Sequence, residues 1–194
     1  MSFKPIFEIV WVVSLIVAVL SILSIVGLHL YDSVVLFPTY NRAVHSHMEN
    51  AYFANTPELM KKELLLSVSG MKELGLKEDM YSVVLPWEMT PEKRMDYQFS
   101  HLESIISRID SVGEWRKNVY EKGGTQESLG DVYEIKMDNL RNFLKEDSWS
   151  DWIAEGAFYA NVYSWFVWAN ILLGWLLVLS LISTAVSGAR VIGW

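Results

Sequence analysis

A chain of 194 residues with a formal charge of −7 and 52% hydrophobic residues has room for one domain of ordinary size and carries more apolar side chains than a water-soluble chain needs. The acidic balance argues against a phosphate-binding basic face, and so against a nucleic-acid partner. With no cysteine, disulfides, thiolate metal sites, iron–sulfur clusters and a cysteine nucleophile are excluded.

The first element opens at Lys4 and Pro5, the proline being suited to a helix start. Ile9 to Leu28 is an uncharged apolar run, long enough to cross a bilayer as a helix. A cleaved secretory signal is the competing reading, but the run is longer than the usual ~7–15 residues and no small-x-small cleavage site follows it. Ser14, Ala18, Ser21 and Ser24 recur at helical spacing, a face that lets a second helix approach closely. Trp11 and Tyr31 stand where interfacial anchors are expected.

The middle of the chain reads as four helices. Phe37, Tyr40, Val44, Met48 and Ala51 mark one helical face, with a kink or restart expected at Pro38. Thr56-Pro57-Glu58 is a helix start with Thr56 as cap. That helix runs to Gly75 with Leu64, Val68, Met71 and Leu74 inward. Ser82 to Trp87 reads as a short extended piece or a loop. Thr90-Pro91-Glu92 repeats the start signal, and Met95, Phe99, Leu102, Ile106 and Ile109 step by four and three. Gly123-Gly124 ends that helix. The next turns Leu129, Tyr133, Met137, Leu140 and Leu144 inward. Four helices joined by short links predict an antiparallel four-helix bundle.

Ala157 to Ala189 is the second uncharged run. From Ser150 onward no proline interrupts the pattern, so one continuous rod is expected from the last domain helix into the membrane. Trp165, Trp168, Leu172, Trp175 and Leu179 fall on one side of the span. Tyr163, Asn170, Gly174, Leu181, Thr184 and Gly188 fall on the other. Trp165 and Trp168 suit an interface, whereas Trp175 lies deeper and suits packing on another helix. The small and polar face, with the Asn170 amide, suits helix–helix packing rather than lipid. Asn170, Gly174, Thr184, Gly188, Trp175, Ser14 and Ser21 are therefore the candidate packing and partner residues. The first span of the same chain is the plain occupant of that face, and a partner subunit the sharper one.

Chemistry has less to stand on. His45 and Glu49, at i and i+4, are the weak candidates for a shared metal ion. His45 and His47 lie on different helix faces, and His101 and Glu103 lie off their apolar stripe. The Glu-x-x-His pairs of di-iron bundles do not occur. There is no Gly-x-Ser-x-Gly, no phosphate loop and no inward cluster of carboxylates. No catalytic residue and no cofactor are expected.

The expected organisation is all-α: a membrane helix over 1–31, an extracytoplasmic helical bundle over 32–156, a second membrane helix over 157–189, and a tail over 190–194. Lys4 and Arg190 in the tails, against Asp147, Asp151 and Glu155 on the domain side, favour both termini in the cytoplasm of a cell membrane. A helical bundle between two spans resembles in architecture the extracytoplasmic sensor regions of bacterial and archaeal chemoreceptors and histidine kinases. That resemblance implies ligand sensing, but only five residues after Ala189 remain for output, which would have to come from a partner. The leading expectation is a non-catalytic accessory or structural subunit, partnered by lipid and by other membrane subunits or further copies of itself. Competing with it are a ligand-binding module near Trp87, Trp115 or Tyr133, and a metal-bearing subunit of a membrane enzyme.

Overall fold

The computed structural model describes residues 4–84, 88–146 and 148–192. The fold is all-α: among the described residues there is no β-strand, and the nearest thing to one is an isolated antiparallel bridge between Tyr81 and Arg94. The helices are α1 (Lys4–Tyr31), α2 (Phe37–Tyr40), α3 (Ser46–Tyr52), α4 (Pro57–Glu73), α5 (Met95–Glu121), α6 (Gln126–Glu146), α7 (Ser148–Ala157) and α8 (Ser164–Ile192). Two helical runs, Ile6–Tyr52 and Ser164–Ala189, are long and apolar enough to cross a membrane. The chain packs as two units, Met1–Phe37 with Trp165–Trp194, and Pro38–Ser164.

Pro38 does not break its helix. It sits in the first turn of α2, between π-helical segments at Asp32–Leu36 and Asn41–His45. The Phe37 N–H bonds to Asp32 O and the Ser46 N–H to Asn41 O, each five residues back. A wider turn absorbs the missing N–H and ring bulk of a proline. It also turns the face: Leu36, Tyr40, Val44 and Ala51 are buried, while Phe37 is exposed.

In the Pro38–Ser164 unit, α4 packs between α3 and α5, α6 packs on α5, and α7 reaches α5 and α6. The Thr56 side chain accepts from the Leu59 N–H at 3.2 Å, capping α4. The same helix ends at Gly75, whose φ of +85° is open to glycine without strain. Gly75 N–H bonds to Lys72 O and Leu76 N–H to Met71 O, and Leu76 and Met71 are both buried. This paired arrangement closes a helix end over an apolar contact. Gly123 and Gly124 close α5 by the same pattern onto Tyr120 and Val119.

The start at Thr90-Pro91 comes early. Pro91–Lys93 forms one tight turn, and α5 begins at Met95 with Arg94 extended before it. The bridge segment explains the delay, because Met95 N–H is taken by Met80 O and Asp96 N–H by Glu78 O. Within α5, Ile105 is buried with Leu102 and Ile109, whereas Ile106, expected inward, is half-buried. Helix α6 kinks at Gly130 (φ 36°, ψ −142°). Beyond the kink it lies along α5 with three cation–aromatic contacts. These are Arg108 over Phe143 at 4.2 Å, Lys136 over Trp115 at 5.1 Å and Arg116 over Tyr133 at 5.6 Å.

The expected single rod from Ser150 is interrupted. After α7 the chain forms a π-helical segment at Phe158–Val162, and Tyr163 then leaves helical geometry (φ −119°, ψ 38°). Phe158 is fully buried and its ring meets both Tyr40 at 5.6 Å and Tyr163 at 5.0 Å. Aromatic packing in the core, rather than a proline, sets this break. Gly156 stands one turn earlier, where a Cβ would fall 2.7 Å from Ser82 O.

Candidate membrane-facing interface

The unit formed by the two chain ends is an antiparallel helix pair. Three contacts give its register. The Tyr31 and Trp165 rings lie 6.0 Å apart at one end. The Ser14 hydroxyl donates to Ser183 Oγ at 2.8 Å. A Cβ on Gly188 would lie 3.3 Å from Trp11 Nε1 at the other end.

The facing surfaces are small and polar. On α1 the buried positions are Ser14, Ala18 and Ser21; on α8 they are Phe166, Ser180 and Ser187. Asn170, Leu173, Leu177, Ser183, Thr184 and Gly188 are half-buried on that side of α8. The series 166, 170, 173, 177, 180, 184, 187 steps alternately by four and three, the spacing of a helix that keeps one seam toward a neighbour. Polar groups on this face are satisfied by their own helix. Asn170 Nδ2 donates to Phe166 O at 3.0 Å, Ser180 Oγ to Leu177 O at 2.8 Å, and Thr184 Oγ1 to Ser180 O at 2.8 Å.

The candidate residues thus divide. Ser14, Ser21, Asn170, Thr184 and Gly188 lie on the sides of α1 and α8 that turn toward each other, whereas Gly174 is half-buried at the flank, where an added Cβ would meet nothing within 4 Å. Trp175 lies on the opposite side of α8, 63% exposed. It stands in a second stripe, Trp165, Trp168, Leu172, Trp175, Leu179, Ile182 and Val186, all exposed and stepping by three and four. Ser180, Ser183 and Ser187 belong to the inner seam and are absent from the sequence reading. The serine pair seven residues apart was their signal.

The other candidates lie in the Pro38–Ser164 unit. His45 is half-buried and Glu49 exposed. The pair formed there is instead His47 with Glu63, Nδ1 to Oε2 at 2.7 Å across α3 and α4. His101 stacks on Tyr97, ring centroids 6.3 Å apart. Among the described residues no group of three His, Cys, Asp or Glu stands close enough to hold a metal ion. Trp115 carries Lys136 on its face. The Tyr133 hydroxyl donates to Asn55 O at 3.2 Å, beside Arg141, whose Nη2 donates to Ala54 O at 3.1 Å. Both tie α6 to the α3–α4 turn. Burial pushes the Tyr133 phenol up, against the pull of the Arg116 guanidinium. Trp87 lies outside the described residues.

An open cleft of about 690 Å³ lies between α4 and α5 and is lined by Glu58, Lys61, Asp110, Arg116 and Lys117 among others. Its charges pair with one another: Lys61 with Asp110 at 2.6 Å, Arg116 with Glu58 at 3.3 Å, Lys117 with Glu121 at 3.7 Å. Comparison with protein-family models, with curated proteins and with solved structures finds no match to this chain.

Proposed function

We propose that the chain is a non-catalytic accessory subunit of a larger membrane assembly. Its two apolar helices anchor it, and the helical unit Pro38–Ser164, arranged as a four-helix-bundle-like domain, is presented outside the cytoplasm. The supporting observation is the division of α8 into two seams. The small and polar seam is taken up by the chain's own first helix, which leaves the stripe from Trp168 to Val186 facing outward. A helix that serves only as an anchor has no need of an indole N–H donor near its middle.

The reading is tested by extraction from the source membrane in a bilayer-retaining polymer, followed by native mass measurement. An assembly larger than one chain, of fixed stoichiometry, is expected. A chain that leaves the membrane alone and monomeric overturns the proposal.

A further inference from the structure

Nothing in the sequence breaks the helix between α7 and α8. No proline follows Pro91, and Ala157 to Ser164 contains no glycine. Left to local preference, such a stretch closes the α-helical ladder of bonds four residues back. Instead the Tyr163 N–H reaches Phe158 O, five residues back, at 3.1 Å, and Tyr163 itself lies at φ −119°, ψ 38°. A π-turn is rare and marks a place where something else holds the chain.

Two contacts supply the hold, and both come from the connection between α4 and α5. Asn161 Nδ2 donates to Tyr81 O at 2.7 Å and to Ala157 O at 2.9 Å. Ala157 O is the carbonyl that an α-helix reserves for the Asn161 backbone N–H. The side-chain amide thus competes for the helix's own acceptor while it grips a distant one. One turn earlier, Gly156 lets the Ser82 backbone lie against α7, since a Cβ there would fall 2.7 Å from Ser82 O. Tyr81 and Ser82 are in turn held at the start of α5. Met95 N–H bonds to Met80 O and Ser82 N–H to Lys93 O, each at 2.9 Å. Residues 80–82 therefore form a strap from α5 to the turn after α7. The rings of Tyr40 and Phe158 fix where the break falls, and the strap acts on the residues beyond it.

We infer that residues 157–164 form a two-state element, broken while the strap is docked and continuously α-helical when it leaves. A hydrogen bond or two opposes one turn of helix, so the two states lie close in free energy. The choice of state, immediately ahead of α8 in the chain, is thereby under the control of the α4–α5 connection. The inference is independent of the accessory-subunit reading.

The test uses the full chain in lipid bilayers, isotope-labelled at tyrosine carbon and serine nitrogen. Tyr-Ser junctions occur at Tyr81–Ser82 and Tyr163–Ser164 and nowhere else, so a carbon–nitrogen-filtered NMR spectrum reports the strap and the break side by side. Ser82→Ala assigns the strap signal by deleting it. In the wild-type chain the Tyr163 Cα signal is expected upfield of the helical range. Asn161 is exposed, so Asn161→Ala removes the grip without opening the core, and it should carry the Tyr163 Cα signal downfield into the helical range. Gly156→Ala should do the same with Asn161 in place, by pushing Ser82 away, and the Ser82 nitrogen signal should move with it. Asn161→Ala decides alone where Gly156→Ala fails to fold or leaves Ser82 in place. A helical Tyr163 in the wild-type chain overturns the inference. So does a Tyr163 signal that stays non-helical in Asn161→Ala, or in a folded Gly156→Ala chain whose Ser82 signal has moved, since the aromatic contacts alone would then hold the break.

Discussion

At the scale of single residues the clearest demand falls on Gly70. It sits in the last turn of α4, still inside the helix, where glycine costs up to about 1 kcal/mol relative to alanine. A Cβ there would lie 1.8 Å from the carbonyl oxygen of Ala43, in the second π-helical segment. The neighbour is backbone and cannot turn aside. Gly70→Ala should therefore destabilise by about 3 kcal/mol, despite its better helix propensity. Thermal unfolding of the full chain in detergent, followed by far-UV circular dichroism, would show a lowered midpoint; an unchanged or raised one would mean that no such close approach exists. Part of this is legible beforehand, since an isolated glycine inside a helical pattern signals close packing. That Ala43 is the neighbour is not, because Ala43 and Gly70 are brought together only by packing across the α3–α4 turn.

At the scale of elements the phases of the helices were readable and their registers were not. Apolar spacing identified Met95, Phe99, Leu102 and Ile109 on α5, and Leu129, Met137, Leu140 and Leu144 on α6, all of them buried. It is silent on which turn of α5 faces which turn of α6. The contacts Arg108–Phe143 and Trp115–Lys136 settle that, both lying on the outer edges of the two stripes. A double-mutant cycle with Arg108→Ala and Phe143→Ala should return a coupling of about 0.5–1 kcal/mol in favour of the pair. Strictly additive effects would mean the guanidinium and the ring do not interact. The π-helical segments were likewise hidden: Pro38 announced a disturbance, and only the packed structure shows it resolved as wider turns instead of a break.

At the scale of the whole molecule the proposed topology is tested by the side of a membrane on which the Pro38–Ser164 unit is found. The proposal of an extracytoplasmic domain rests on lysine and arginine in the short tails. Because the chain contains no cysteine, one introduced thiol is unambiguous. Lys122→Cys, at the exposed end of α5, should react with a membrane-impermeant maleimide in intact cells. Reaction only after permeabilisation would place the unit in the cytoplasm and reverse the topology. The outcome leaves the α1–α8 pairing untouched, since both orientations keep the two helices antiparallel.

The amino-acid sequence alone determined the class of the fold and the positions of its main punctuation. Uncharged runs of sufficient length can be satisfied only as helices or by burial. The Thr56-Pro57 start and the Gly75 and Gly123 stops act through backbone groups within a turn of themselves. Both effects are local, so both are visible in one dimension. Tertiary structure decided how the α8 faces are used. The small and polar face was legible as a packing face with the first span as its plain occupant, but the register of that pairing was not. Pairing with α1 consumes the serine, Asn170 and Thr184 side, and leaves Trp175 exposed on the other. Tertiary structure also decided the interruption at Tyr163, where the rings of Tyr40 and Phe158 converge from distant parts of the chain. Such contacts depend on packing between segments more than a hundred residues apart, and no spacing within either segment encodes them.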